Sequence, residues 1–197
     1  MNSIHSFKNK FPLPIRLFLG KALLFFVVWR IVYSVFLVDS KWVDQKLTHH
    51  VGEASTFLLN NMGFMEGFTT NRKNVISVYE GETLSNRSSI IYHHNKRVLF
   101  IGDDCNGLQL MVLYLGFIIC MPSKFWRKFR YVVLGLLVLD FINILRCMGL
   151  VYLREYFLLY FDFAHHFLFK AMVYTAMFLI WKRYASKIKL KNGAIQN

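Results

Sequence analysis

The stretch Gly102-Asp103-Asp104-Cys105-Asn106-Gly107-Leu108-Gln109-Leu110-Met111 marks where a polar segment gives way to a hydrophobic one. Gly102-Asp103-Asp104 reads as a turn and cap, and Leu108 through Met121 is apolar but for Gln109 and Gly116. A helix opening near Cys105 places a thiol at its N-terminal end, at the depth where a bilayer meets water. Backbone N–H groups and the helix dipole favour an anion there, whereas Asp103 and Asp104 oppose one. The position suits a nucleophile that has cationic partners.

Working outward, three more apolar runs appear: Leu17–Val38 with Lys21 and Arg30, Tyr131–Leu150 with Asp140, Asn143 and Arg146, and Phe157–Trp181 with Asp162, His165, His166 and Lys170. A chain of 197 residues would suit one soluble domain, but these runs are longer than core helices. With the run from Cys105 they predict about four membrane-spanning helices. The expected spans are 17–38, 105–121, 131–150 and 157–181, in a single integral membrane domain over 1–197. Lys8, Lys10 and Arg16 make a basic leader. The run after it is too long for a signal-peptide core, and no small-x-small site follows Val38, so an uncleaved first span is expected.

Basic residues set the orientation. Ser123–Arg130 holds Lys124, Arg127, Lys128 and Arg130 without an acid, and the C-terminal tail holds Lys182, Arg183, Lys187, Lys189 and Lys191. The positive-inside rule puts these segments and the basic N-terminus in the cytoplasm. Segment 39–104 and the Val151–Tyr156 turn then lie outside. The net charge of +13 is therefore largely topological. Its clusters flank spans, which makes membrane lipid the expected partner and excludes nucleic acid.

The outer segment divides in two. Leu47, Val51, Ala54, Leu58 and Met62 recur every three or four residues, the pattern of an amphipathic helix on the outer membrane surface. A fifth span there would upset the charge pattern. Val75–Tyr79, Ser88–Tyr92 and Arg97–Ile101 are β-type runs, with turns at Gly81 and at His94-Asn95-Lys96. The expected fold class is an all-α polytopic membrane protein with a surface helix and a small extracytoplasmic β-type segment that feeds into Cys105.

This topology gives depths to the polar residues. Cys105 begins its span at the outer end, Arg146 lies about one turn below the outer end of its helix, and His165 and His166 about two turns below theirs. A central arginine costs about 2.5–3.5 kcal/mol on insertion scales, so it faces protein or a watery cavity. Asn143, three residues before Arg146, is placed to orient the guanidinium, and Asp162 to reach either histidine. Gln109 lies a turn below Cys105, and Gly107 permits close helix approach.

Blander roles remain open for each. Cys120 and Cys147 read as small apolar packing residues, and a disulfide of Cys105 with Cys147 in an oxidising compartment is the alternative for that pair. Arg146 can snorkel to headgroups, and the histidines can bridge helices by hydrogen bonds. Arg154 is second to Arg146 for the cationic role. His93 and His94 read as turn residues, and His49 and His50 as interfacial. No histidine pair has a third ligand at metal-site spacing, so neither metal nor cofactor is expected.

The Cys105-Asn106-Gly107-Leu108 box resembles the Cys-x-Gly box of the exosortase/archaeosortase family. Asn143-Ile144-Leu145-Arg146 resembles that family's Asn-x-x-Arg box, and the histidine of the last span is similar to its third signature. The likeness covers roughly 75–184. It implies a compact bacterial member in the cytoplasmic (inner) membrane, with its site facing outward. Such an enzyme is a cysteine transpeptidase that cleaves a C-terminal sorting signal from exported proteins through an acyl-enzyme. Carried over, Cys105 is the nucleophile, Arg146 stabilises negative charge and His165 moves the proton. Many members have Asp after the histidine where this chain has His166, so His166 stays open for that last role. The alternative is a non-catalytic membrane component of surface-polysaccharide export or assembly.

Overall fold

A computed structural model of the chain describes residues 13–37, 42–62, 66–79, 82–102, 105–191 and 194–196. Lys8, Lys10, Gly81, Asp103 and Asp104, read above as leader, turn and cap, lie outside these residues. Helix α1 (Leu13–Val32) runs into a π-helical turn at Tyr33–Leu37 and is followed by α2 (Trp42–Asn61). Three antiparallel strands come next in the order β1 (Phe68–Tyr79), β2 (Glu82–His93) and β3 (Lys96–Ile101). The remainder is α3 (Leu108–Cys120), α4 (Phe125–Tyr156), α5 (Leu158–Phe163), a π-turn at Ala164–Leu168, and α6 (Phe169–Ser186). A small hairpin of β4 (Lys189–Lys191) and β5 (Ala194–Gln196) follows.

Among the described residues two helices are long and apolar enough to cross a membrane: α4, with 32 residues, and the continuous Leu158–Ser186 helix, with 29. Only 17% of the apolar window of the second is buried within the protein, so it is no core helix of a soluble fold. Leu159, Phe163, Phe167 and Phe178 lie exposed along it, an apolar surface that calls for lipid. The other two expected spans differ from these. Helix α3 is 13 residues long, roughly 20 Å against a hydrocarbon core of about 30 Å. Helix α1 carries Arg16, Lys21 and Arg30 within its 20 residues.

Helix α4 extends well past the expected 131–150. It begins at Phe125 and takes in Arg127, Lys128 and Arg130, which the sequence reading assigned to a connection. Arginine and lysine are strong helix formers, and here their heads close helix ends. Arg127 donates to the carbonyls of Tyr184 and Lys187, and Lys128 Nζ to that of Ile119. The outer turn expected at Val151–Tyr156 is also helical, and the chain reverses at Phe157 (φ −138°, ψ 56°).

Helix α2 forms as expected but buries a different stripe. Asp44, Thr48, Val51, Gly52, Ser55, Thr56 and Leu59 are covered, while Leu47, Ala54 and Leu58 are only partly so and Met62 is exposed. The cause is the sheet. A Cβ on Gly52 would meet Thr70 Cγ2 at 2.9 Å, so small residues let α2 fit closely between the strands and α4. Thr56 and Thr70 hydroxyls share a hydrogen bond, Asn60 exchanges two with Phe68, and Ser55 donates to the Ile144 carbonyl. Val51, Leu59, Phe68, Ile91, Ile101, Ile144 and Met148 form the core there.

The meander matches the sequence reading, with β1 and β2 starting earlier than expected. His94 and Asn95 both take positive φ (45° and 66°), the two-residue turn that the twist of a hairpin favours.

A second core lies at the other end of the helices, around Tyr114, Ile118, Leu139, Val173, Met177 and Tyr184. Gly135 makes it possible, because any Cβ there would run into the ring of Tyr114, whose hydroxyl donates to the Tyr131 carbonyl. Gly135→Ala should lower stability by roughly 1–3 kcal/mol through overpacking, read as a lower unfolding temperature in detergent. The double variant with Tyr114→Val should lose less than the two single losses summed.

Candidate active site

Cys105 does not open a helix. Its N–H donates to the Gly102 carbonyl at 2.9 Å in one tight turn after β3, and α3 begins three residues later at Leu108. Gly107 sets this boundary. Its φ of 82° is left-handed, which ends regular helix on that side. A Cβ on Gly107 would also come within 3.2 Å of Asn143 Nδ2, so the residue is small for a second reason.

A chain of buried polar groups holds the turn. Asn106 is 1% exposed, Asn143 2% and Asp44 4%. The Asn106 amide donates to Asp44 Oδ1 at 2.8 Å, and its oxygen accepts the Leu108 N–H at 2.8 Å. Tyr33 OH donates to the other Asp44 oxygen at 3.0 Å. Asn143 Nδ2 donates to the Asn106 carbonyl at 2.9 Å. Asn143 thus holds the backbone beside the thiol and does not orient the guanidinium, the role its spacing suggested.

Arg146 is buried and donates from a terminal guanidinium nitrogen to the Cys105 carbonyl at 2.6 Å. Its Nε is buried with no hydrogen-bond partner among the described residues. His165, half-buried, stacks on Phe161 and directs Nε2 to within 3.9 Å of Cys105 Sγ. His166 is exposed and turned elsewhere. Its Nδ1 donates to the main-chain carbonyl of Asp162 at 2.9 Å. That Asp162 contact is made by its backbone, not by the carboxylate the spacing pointed to.

Cys105, Arg146 and His165, expected from three separate spans, therefore line one cavity of about 650 Å³. The other walls are β3 with Gly102, and Cys147, Leu150, Arg154 and Phe161. Arg154 lies 5.3 Å over the Phe161 ring. Cys147 is buried and, like Cys105 and Cys120, a free thiol, so the pairing of Cys105 with Cys147 is absent. Gln109 is exposed and lines a separate cavity of about 480 Å³ with Trp29 and Lys170, because Cys105 precedes the helix and shares no face with it. Arg146 borders both cavities.

Several contributors escaped the sequence reading. Asp44 lies in the first turn of α2, where an acid reads as an ordinary helix start. Tyr33 sits in an apolar run, and Arg97 only opens a β-type run. The π-turn that carries the histidines has no composition that marks it.

The family model for transmembrane exosortases matches residues 14–182. The chain belongs to the exosortase family. It is thus a membrane protein by family as well as by its exposed apolar helices. No curated protein and no solved structure matches the chain.

The polar chain behind the turn predicts energetic coupling across it. Asp44→Ala and Asn143→Ala act on opposite sides of Asn106, so their losses in thermal stability should fail to add. A double-mutant cycle in detergent should give a coupling of about 1 kcal/mol. Additivity within roughly 0.3 kcal/mol would show that the turn is held some other way.

Proposed function

We propose that this exosortase-family protein is a membrane cysteine transpeptidase that cleaves C-terminal sorting signals of exported proteins, with Cys105 as nucleophile. The observation that carries this reading is the approach of His165 Nε2 to Cys105 Sγ, 3.9 Å, in a cavity where Arg146 holds the carbonyl of the same cysteine. That contact is loose for proton transfer, as catalytic contacts often are before substrate binds.

His165 takes the thiol proton as Sγ bonds to the scissile carbonyl carbon. The oxyanion that forms meets the guanidinium of Arg146, whose buried Nε is unused by the protein among the described residues. The C–N bond then breaks, the leaving amine takes the proton from His165, and a thioester remains on Cys105. An acceptor amine, or water, resolves it with His165 as base. His165 is favoured over His166 because its Nε2 approaches Sγ and its ring lines the cavity, whereas His166 is exposed and tied to the Asp162 carbonyl. Arg154 is left to the cavity wall.

The proposed setting is a bacterial inner membrane crossed four times, by α1, α3, α4 and the α5–α6 helix, in one domain. The termini and the 121–124 link are cytoplasmic, and the sheet and cavity face outward. Basic residues support this, with Arg127, Lys128, Arg130, Lys182 and Arg183 gathered at the end opposite the sheet. The partners are exported proteins bearing the signal, together with lipid.

Topology can be read by labelling. In a variant lacking the three native cysteines, Asn95→Cys should react with an impermeant maleimide in intact cells, and Lys124→Cys only after the membrane is broken. The reverse pattern would put the cavity on the wrong side. For the chemistry, Cys105→Ala and Cys105→Ser should abolish processing of a cognate signal and trapping of a thioester. His165→Ala should lose about 10²–10⁴-fold in rate, and Arg146→Ala about 10²–10³-fold. Cys120→Ala, Cys147→Ala and His166→Ala should retain activity at matched protein levels. Parental processing by Cys105→Ser would exclude thiol chemistry, and the absence of any processing by the parent protein would move it to the non-catalytic class.

A further inference from the structure

The wall of the cavity opposite α4 is an edge strand. Strand β3 pairs with β2 on one side, and among the described residues no strand pairs with the other. Every residue from Arg97 to Ile101, and Gly102 after it, lines the cavity. Successive side chains of a strand point to opposite faces. A cavity touched by six consecutive residues therefore runs along the edge, where unpaired backbone N–H and C=O groups lie. The Gly102 carbonyl accepts the Cys105 N–H at 2.9 Å and both residues line the cavity, so the end of the edge lies beside the cysteine.

The charge of the cavity narrows what fits. Its described lining carries Arg97, Arg146 and Arg154 and no carboxylate. Arg97 lies 5.6 Å from the Phe100 ring and Arg154 5.3 Å from that of Phe161. Those contacts set both guanidinium groups beside aromatic rings of the cavity wall, and a guanidinium is well suited to a carboxylate. The ion pairs among the described residues involve neither arginine.

We propose that the free edge of β3 receives the substrate as an added strand, an extended acidic peptide whose carboxylate is held by Arg97 and Arg154 while its scissile carbonyl meets Cys105. This rests on the transpeptidase reading for the last step only. Backbone pairing supplies affinity with little sequence demand, and the arginine pair adds selection for an acidic side chain. The walls of Leu99, Phe100, Leu150 and Phe161 exclude water from the paired backbone.

The test uses full-length Cys105→Ala protein in nanodiscs. The probe is a fluorescent ten-residue peptide containing one Glu, taken from just before the C-terminal hydrophobic stretch of an exported protein of the same genome. A series of this peptide carries a single N-methyl amide at each successive position. Strand addition predicts that affinity falls roughly three- to tenfold at alternate positions and holds at those between. The Glu→Gln peptide should bind more weakly to the parent, and Arg97→Ala or Arg154→Ala should erase that difference. A photoreactive residue replacing Phe100 should crosslink the peptide, and one replacing Met62, on another cavity, should not.

A flat methylation profile, crosslinking at Met62 alone, or no saturable binding of such peptides would overturn the proposal. Thioester trapping on native Cys105 separates the two ideas. Trapping with a flat profile removes the docking strand and keeps the nucleophile. An alternating profile without trapping keeps the strand and removes the thiol chemistry.

Discussion

The side-chain amide of Asn106 is the point on which the arrangement depends. It sits between Asp44 from α2 and the first N–H of α3, while its backbone carbonyl is held by Asn143 from α4. Tyr33, at the end of α1, ties in through Asp44. Each bond is worth only about 1 kcal/mol net, but leaving a buried amide unpaired costs about 1–3 kcal/mol. The network therefore acts less as a source of stability than as a constraint on geometry. Four helices satisfy it in one relative placement, and that placement presents Cys105 to the cavity. Arg146 completes it from the other side by taking the Cys105 carbonyl.

The last helix adds a local irregularity that the site uses. At Ala164–Leu168 the backbone widens, and the Phe169 N–H bonds back to the Ala164 carbonyl, five residues away. Where the turn opens, the Asp162 carbonyl accepts from the ring of His166. A carbonyl only accepts, so Nδ1 of His166 bears the hydrogen. His165, next to it, stacks on Phe161 and faces the thiol. Two adjacent histidines of identical chemistry are thereby sorted into one aimed at the cavity and one tied to its own helix. π-turns of this kind recur at functional sites, because they re-aim side chains without breaking the helix.

The sheet and helix α2 play a part beyond covering the helices. Packing β1 and β2 on α2, and α2 on α4, fixes the height and tilt of β3 beside α4. Small residues at the contacts, Gly52 above all, allow this closeness. The result is a cavity with a strand edge on one wall and membrane helices on the other. Arg146 stands at its boundary with the second cavity, which Lys170 and Trp29 help to line. Family membership gives the membrane setting, and within it Cys105 and the β3 strand line one cavity.

Run length and residue pattern carried part of the fold in the sequence alone. Long apolar segments have few other solutions than membrane helices, and alternating β-type residues with turn signals placed the meander. Cys105, Arg146 and His165 were legible because polar groups at one depth in separate spans are costly unless they meet. Other features were not local enough to be read. The true start of α3 depends on the left-handed Gly107 packed against Asn143, and the reach of α4 on cations that find carbonyls only in the folded chain. The buried stripe of α2 follows its contacts with the sheet rather than its own periodicity. Asp44 became part of the site through a contact 62 residues away in the chain. Spacing along a helix says which partners are near, but a side chain bonds to whichever group the tertiary fold brings within about 3 Å, so only that fold decided what Asn143, Asp162 and Gln109 do.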